Sequence, residues 1–397
     1  MKKVAIIGAG PAALMLAAQL DQSKFQIEIY ERNPTAARKM LVAGDGGLNL
    51  THSEDEHLFV SRYIPERFLD TAFLGFNNKS LCEWFSSIGI QTFTGSSKRI
   101  FPMKGIKPIE VVNAILKVLS EKGTQIHYRH LWKGWKGNDL VFEKENLEIQ
   151  TTADIYVFAL GGGSWKVTGS DGSWIKPFKE KGIKIQAFQP SNCTFMVDWK
   201  PDFLALSEGM ALKNISVQCD KKIKKGEVVI TARGIEGGAI YSLSPEIRKQ
   251  LQSKKTATLY IDLKPDLGNK EVLSRIKNRG SDSVSAALKN RIRLSSVQSE
   301  LLKSILTKEE YINAEILAQK IKKLPVRITG LAELDEAIST VGGISLDQIN
   351  ENYQLKSSPN TYAIGEMLDW DAPTGGYLLQ GCFSMGHQLA HHLNAST

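Results

Sequence analysis

The chain has 397 residues, of which 42% are hydrophobic and 23% are charged, and it carries a formal net charge of +8. This length is more than one compact core needs, so two or three domains are expected, and the balanced composition excludes disordered and fibrous proteins. No segment has the ~18 uncharged apolar residues that a membrane span requires. The sequence therefore predicts a cytoplasmic protein that has no membrane partner.

The first predicted elements are two strands separated by a glycine turn and a helix. VAIIGAGPAALMLAAQL followed by FQIEIYER predicts a strand, a glycine turn, a helix and a second strand. Gly8, Gly10 and Ala13 fit the pattern G-x-G-x-x-G/A, in which the second glycine lets a pyrophosphate approach the positive end of the helix. Glu31 ends the second strand about 20 residues later, where a carboxylate binds ribose hydroxyls. The sequence therefore predicts a dinucleotide site.

Two later stretches combine a strand with a glycine-rich turn, as the first unit does. DIYVFALGGGSW (154–165) reads as a buried strand that ends in three glycines, and TYAIGEMLDWDAPTGGYLLQG repeats this design near the end of the chain. A chain that returns at its end to its first nucleotide fold is typical of FAD proteins. The second stretch places Gly375 and Gly376 before a helix, whose positive N-terminus can face the pyrimidine edge of a flavin.

The middle of the chain differs in pattern. Residues 213–262 contain short β-type runs with turn signals, and residues 268–323 have helical spacing with almost no Gly or Pro. Residues 213–255 hold ten Lys/Arg against four Asp/Glu, including the run KKIKKG from Lys221. We interpret this run as a solvated hairpin whose lysines protect a strand edge, because no aromatic residues interleave with them to stack on nucleic acid. Four scattered cysteines without a C-x-x-C pair indicate neither disulfides, nor structural zinc, nor a dithiol site.

Seven segments occur in an order that resembles a known family. They are ERNPTAARKMLVAGDGGLNLTH, KRIFP, ALGGGSWKVTGSDG, TARGIEGGAIYSLS, LPVRITG, TVGGISLDQIN and the C-terminal stretch. The order resembles the three-domain bacterial NAD(P)/FAD-dependent oxidoreductases that include aminoacetone oxidase and bile-acid 3-oxo reductases. The resemblance covers essentially the whole chain and implies an α/β fold: a Rossmann-type FAD-binding domain, an inserted β-rich domain and a nested helical domain. We place these domains at 1–188 with 346–397, at 189–265 with 324–345, and at 266–323, respectively.

The resemblance also implies the residues that contact FAD. They are Gly8, Gly10, Pro11, Ala12, Glu31, Arg32, Lys39, Gly46, Gly47, Asn49, Leu131, Gly161, Gly365, Glu366, Thr374, Gly376, Tyr377 and Leu378. Leu131 is assigned to the adenine.

Two departures from the family pattern indicate a divergent branch. Most relatives have S-G-G-G-R-C-N where this chain has AGDGGLN (43–49), and L-S-G-P is replaced by IEGG (235–238). The substrate of the better-known members is therefore not carried over.

The expected chemistry is hydride exchange between a small molecule and the flavin. The sequence has no second G-x-G-x-x-G unit, so NAD(P)H, if it is the electron donor, would have to dock transiently. The candidate catalytic groups are His52, Arg99 and Glu236. Each also has a structural alternative: His52 as a hydrogen-bonding partner of the glycine loop, Arg99 as a carboxylate or flavin partner, and Glu236 as a surface acid.

Two other functional classes stay open. The pI near 9.1 favours a flavin-dependent tRNA-modifying or nucleic-acid-binding protein, although the lysine run argues against a nucleic-acid partner. A flavin-binding protein without turnover is the other alternative. The sequence does not decide the substrate, the direction of the reaction or the oligomeric state.

Overall fold

The computed structural model describes residues 1–43 and 47–396 of the chain. Contacts divide the chain into two compact units, and each is described by itself. The first unit comprises Met1–Pro190 and Leu334–Thr397, and the second comprises Ser191–Glu333.

The elements are numbered in chain order. The strands are β1 (Lys2–Ile7), β2 (Phe25–Glu31), β3 (Thr51–His52), β4 (Thr92–Thr94), β5 (Arg99–Pro102), β6 (Gln125–Tyr128), β7 (Leu131–Lys136), β8 (Asp139–Lys144), β9 (Leu147–Thr151), β10 (Ile155–Phe158), β11 (Ile185–Ser191), β12 (Phe195–Met196), β13 (Ala211–Cys219), β14 (Lys222–Thr231), β15 (Gly234–Glu236), β16 (Ala257–Asp262), β17 (Leu324–Ile328), β18 (Gly330–Leu331), β19 (Ser339–Ile344) and β20 (Thr361–Ala363). The helices are α1 (Pro11–Gln19), α2 (Arg38–Ala43), α3 (Glu56–Val60), α4 (Asp70–Gly75), α5 (Asn78–Ser87), α6 (Pro108–Glu121), α7 (Ile175–Glu180), α8 (Pro201–Ser207), α9 (Gly238–Tyr241), α10 (Ser244–Lys254), α11 (Asn269–Lys277), α12 (Val284–Ala287), α13 (Ser296–Ile305), α14 (Lys308–Ile312), α15 (Ala314–Lys322) and α16 (Tyr377–Ala395).

A five-stranded parallel sheet forms the centre of the first unit, in the order β20-β10-β1-β2-β6. The last four residues of β1 are buried because helices cover the sheet, and such strands read as continuous apolar runs. The chain runs from β1 through α1 to β2 on one side, and β10 pairs with the other side of β1. Strand order therefore reverses at β1, which is where such sheets bind ligands. The predicted Rossmann-type fold is confirmed.

The two ends of the chain meet in this unit. Helix α16 packs along α1, and a Cβ on Gly386 would lie only 2.4 Å from the carbonyl oxygen of Ala12, so the glycine permits this close contact. Three smaller sheets surround the core, in the orders β7-β8-β9, β3-β5-β4 and β11-β19. In the second of these, His52 pairs with Arg99 across β3 and β5.

The second unit contains a seven-stranded sheet in the order β17-β16-β13-β14-β15-β12-β18. The predicted lysine hairpin is present: β13 and β14 pair from Cys219 and Lys222 onwards. Strand β15 pairs with β14 only at Val229–Thr231, so the lysine-rich end of β14 is bonded to β13 alone. The predicted helical segment forms α11 to α15, and α15 packs on β16 and β17.

The division into two units differs from the three predicted domains. The helices α11 to α15 and the seven-stranded sheet belong to one unit, and β19, which the sequence analysis assigns to the β-rich domain, belongs to the first unit. Strand β19 pairs with β11, and a Cβ on Gly343 would lie 2.3 Å from the carbonyl oxygen of Met367, so β19 packs closely there. The three-domain division stays a prediction. In the described part of the chain, no helix has the length and apolar character needed to cross a bilayer.

Candidate functional site

A cavity of about 470 Å³ opens at the carboxyl ends of β1, β2, β10 and β20, and all its lining residues belong to the first unit. This volume lies in the usual range of ligand pockets. Most of the predicted FAD contacts line it: Gly8, Gly10, Pro11, Ala12, Glu31, Arg32, Lys39, Gly47, Asn49, Leu131, Gly161, Gly365, Glu366, Thr374, Gly376 and Leu378, together with the catalytic candidate Arg99. The structure thus brings together residues from both ends of the chain. Gly46 lies outside the described residues.

The two glycines of the first turn have different reasons to be glycine. Gly8 has a φ of +99°, and a Cβ there would lie 2.4 Å from the carbonyl oxygen of Ala159, so the fold itself requires glycine. Gly10 has an ordinary φ of −84°, and a Cβ there would meet no described atom within 4 Å. It faces the open cavity. The fold itself does not require glycine at position 10, but a ligand that approaches the backbone closely would require it.

Two helices begin at the cavity wall. Helix α1 follows Gly10 and α16 follows Gly376; neither cap residue has a side chain, and neither helix has an acidic residue in its first turn. The first N–H groups of a helix lack partners inside the helix, and the helix end carries a partial positive charge. The cavity therefore offers two positive helix ends to one ligand, which suits a diphosphate and a second electron-rich group.

Two tryptophans hold the other glycine turns. Gly161 and Gly365 follow β10 and β20 with φ values of +72° and +82°. The indole N–H of Trp174 donates to the carbonyl oxygen of Gly161, and that of Trp370 donates to the carbonyl oxygen of Gly365, each at 2.9 Å. Sequence reasoning missed both tryptophans, which lie 13 residues after Gly161 and 5 residues after Gly365.

Glu31 is tied to the loops around it. One carboxylate oxygen accepts a hydrogen bond from the N–H of Ala9 at 3.0 Å, and the other accepts from the N–H and side-chain amide of Asn33, each at 2.8 Å. Burial raises the pKa of the Glu31 carboxyl, and these hydrogen bonds oppose that rise. The carboxylate therefore supports the glycine loop from the end of β2, beside the cavity.

Two ion pairs lie in the cavity wall. The ammonium of Lys39 contacts the carboxylate of Glu366 at 2.9 Å and donates to Ser164 Oγ at 2.9 Å. The guanidinium of Arg32 contacts Asp171 at 2.6 Å. Three of these four charged residues were predicted cofactor contacts. The structure shows that each of the three is also half of a pair, so these pairs add little net charge to the cavity.

Three predicted site residues are not among the described residues that line the cavity: His52, Tyr377 and Glu236. The rings of His52 and Tyr377 stack at 5.3 Å. The His52 Nδ1 atom accepts from the N–H of Glu54 at 3.1 Å, and the Tyr377 hydroxyl donates to Glu54 at 2.6 Å. Burial lowers the pKa of His52, so its ring is neutral near pH 7. Glu236 belongs to the second unit, where its carboxylate accepts from Thr194 Oγ1 at 2.8 Å.

Glu54 lies at the centre of this cluster, and it supports a prediction on stability. Arg62 donates to both of its oxygens, at 2.9 and 2.7 Å. Burial alone would raise the pKa of Glu54, but the hydrogen bonds from Arg62 and Tyr377 bring it below the usual value of 4.5. The charged form therefore stabilises the fold above pH 4.5, and this contribution is lost as the pH falls through the lower folded-state pKa.

We expect Glu54→Gln to lower the free energy of unfolding by about 2–3 kcal/mol at pH 7, since hydrogen bonds to a charged group are lost. Urea unfolding of both proteins should show the difference shrinking below pH 4.5. The control is Glu83→Gln, an exposed acid on α5, which should change stability by no more than about 0.5 kcal/mol. Equal losses in the two variants would contradict the role of the cluster.

The sequence analysis did not identify several other residues that line the cavity. They include Tyr30, Asn33, Arg38, Met40, His130, Trp132, Thr168, Ser170, Asp171, Ile338, Leu379 and Cys382. The polar segment TGSDG after β10 carried a usable signal, because loops at strand ends commonly bind ligands. Ile338 carried no such signal in the sequence, because it reaches the cavity from a distant segment of the chain. Burial raises the pKa of the Cys382 thiol to about 12, so this thiol is unreactive near neutral pH.

Comparisons with known proteins agree with this geometry. A family profile described as the HI0933-like protein Rossmann domain matches residues 2–392. A 3-dehydro-bile acid delta(4,6)-reductase of Clostridium scindens is 22% identical over 410 residues, which cover 98% of each chain. A ribosomal RNA dihydrouridine synthase of Haemophilus influenzae is 22% identical over 400 residues, covering 97% of this chain and 96% of that one. The solved structure of 3-ketosteroid delta1-dehydrogenase from Sterolibacterium denitrificans has the same fold, with a TM-score of 0.52. The two sequences are 12% identical, and the comparison covers 100% of each chain.

Proposed function

Because the chain belongs to the HI0933-like family of Rossmann-domain proteins, we propose that it is a flavoenzyme that binds FAD and exchanges hydride between a small molecule and the flavin. One observation carries the proposal: two uncapped helix N-termini, at Gly10 and Gly376, line a single cavity at the point where strand order reverses. A bound flavin supplies hydride acceptance and donation. The relative named a bile-acid reductase is consistent with this class of reaction.

The residues of this chain would bind and orient the cofactor. The N-terminus of α1 would hold the diphosphate, and Glu31 would accept from ribose hydroxyls. Lys39 and Glu366, which contact each other at 2.9 Å, would hold the middle of the cofactor. The N-terminus of α16 would face the electron-rich edge of the flavin. Leu131, at the start of β7, would contact the adenine.

The experiment begins with the absorption spectrum of the purified protein and identification of the released cofactor. We expect a yellow protein that contains FAD. Anaerobic photoreduction followed by air tests for an oxidase, which reoxidises rapidly, and addition of NADPH or NADH to the oxidised protein tests for a reductase, which bleaches rapidly. A protein that stays colourless after incubation with FAD contradicts the proposal. Bound FAD that reacts with neither NAD(P)H nor air would support a flavin-binding protein without turnover.

RNA modification is the second candidate function. The end of the β13–β14 hairpin exposes Lys221, Lys222 and Lys225, and two relatives are named ribosomal RNA dihydrouridine synthases. Lys222 and Lys225 are paired with Glu246 and Asp266, which weakens this candidate. RNA binding through phosphates would fall by ~10³-fold or more between 50 and 200 mM salt if about six contacts formed. Such a salt dependence, reduced in Lys221→Gln, would favour RNA as the substrate over a small molecule.

A further inference from the structure

Arg99 lies on β5, at the end of the cavity where α16 begins. A Cβ on Gly375 would lie 3.8 Å from Nε of Arg99. Strand β3, the partner of β5, contacts the same turn, since a Cβ on Gly376 would lie 2.5 Å from Cα of Thr51. The half-buried Arg99 therefore lines the cavity beside the N-terminus of α16.

The described groups around Arg99 leave its positive charge without an acidic partner. Glu54 is engaged by both Arg62 and Tyr377. His52, opposite Arg99 on β3, is neutral near pH 7 because burial lowers its pKa. Within residues 1–43 and 47–396, no acid lies within ion-pair distance of Arg99. By contrast, Arg32 and Lys39 in the same cavity are paired with Asp171 and Glu366. Among the described residues, the end of the cavity at α16 thus holds the unpaired charge of Arg99 in addition to the partial charge of the helix.

Building on the proposed flavin chemistry, we propose that Arg99 stabilises the negative charge that the flavin gains on reduction and thereby raises its reduction potential. A hydride donor would lose a C–H bond together with its electron pair and be oxidised by two electrons, and a bound flavin would gain that hydride and a negative charge along its pyrimidine edge. A positive group already in place at that edge favours the reduced form, and it needs no reorganisation during the reaction.

The test compares the midpoint potential of bound FAD at pH 7 in the wild type and three variants, at saturating FAD. In Arg99→Gln we expect the equilibrium constant for reduction to fall at least tenfold, which is about 30 mV for a two-electron couple. Arg99→Lys, which keeps the charge, should have a midpoint potential close to that of the wild type. Lys98→Gln is the matched control, because it removes the same charge from an exposed neighbour that is not among the described cavity residues, and it should leave the potential unchanged.

The outcomes separate this inference from the proposed function. A wild type that binds no FAD contradicts both. Arg99→Gln with FAD bound at an unchanged potential overturns the inference alone, and a raised KM in that variant would then assign Arg99 to the substrate. If Arg99→Gln binds FAD weakly, the ratio of its affinities for reduced and oxidised FAD must still fall at least tenfold relative to wild type, because potential and affinity are thermodynamically linked. An unchanged ratio overturns the inference.

Discussion

Gly10→Val will bind FAD about 10³-fold more weakly than the wild type, because the loss of two charge-assisted hydrogen bonds costs about 4 kcal/mol. The added side chain would enter the cavity space beside the N-terminus of α1, where no described atom lies within 4 Å of the Cβ position. The backbone at Gly10 is extended, with φ −84° and ψ 179°, a conformation that valine adopts readily. Equilibrium binding of FAD measures the loss of affinity. The thermal midpoint of the apoprotein measures whether the fold tolerates valine at this position.

The matched control is Gly8→Val, for which the opposite pattern is expected. Its side chain would collide with the carbonyl group of Ala159, and its φ of +99° is strained for any residue other than glycine. This variant should lose stability with or without FAD, whereas apo Gly10→Val should lose no more than about 1 kcal/mol, the scale of a cap substitution. Full FAD occupancy in Gly10→Val would contradict the assignment of the diphosphate to this turn.

Glu236→Gln will slow substrate-driven reduction of the flavin by ~10²-fold or more, the usual effect of losing a positioned base. This prediction rests on the sequence analysis, in which Glu236 is a candidate catalytic group within IEGG (235–238), the segment where most relatives have L-S-G-P. Glu236 ends β15 and is half-buried; Thr194 donates to its carboxylate at 2.8 Å, which holds the side chain in one orientation. Its charge also adds to the effect of burial in raising the pKa of Tyr241. The glutamine keeps the size and the hydrogen bond from Thr194 while removing the charge.

Single-turnover reduction of the bound FAD measures this effect, with the flavin spectrum and thermal midpoint as checks on folding. Glu227→Gln on the neighbouring strand β14 removes the same charge from an exposed side chain and should reduce the flavin at the wild-type rate. If Glu236→Gln is as fast as wild type, Glu236 is a structural acid, and the substrate group must be sought at the end of the cavity that holds Arg99.

The nucleotide-binding unit could be predicted from the sequence because its constraints are local. The apolar run of β1, the turn at Gly8 and Gly10, helix α1 and Glu31 all lie within about thirty residues, and each follows from strand, turn or helix chemistry at a fixed spacing. The same holds for the second turn, at Gly375 and Gly376 before α16. The helical segment and the lysine hairpin were also evident, since helical spacing and turn residues are properties of short stretches.

The tertiary structure alone decided which of the predicted site residues lie in the cavity and which of their charges are paired there. Arg32 is paired with a carboxylate 139 residues away and Lys39 with one 327 residues away, whereas Arg99 has no such partner among the described residues. His52, predicted as a catalytic group, and Tyr377, predicted as an FAD contact, have their rings stacked on each other beside Glu54. Pairing and side-chain direction depend on contacts between segments far apart in the chain, and no local pattern records those contacts.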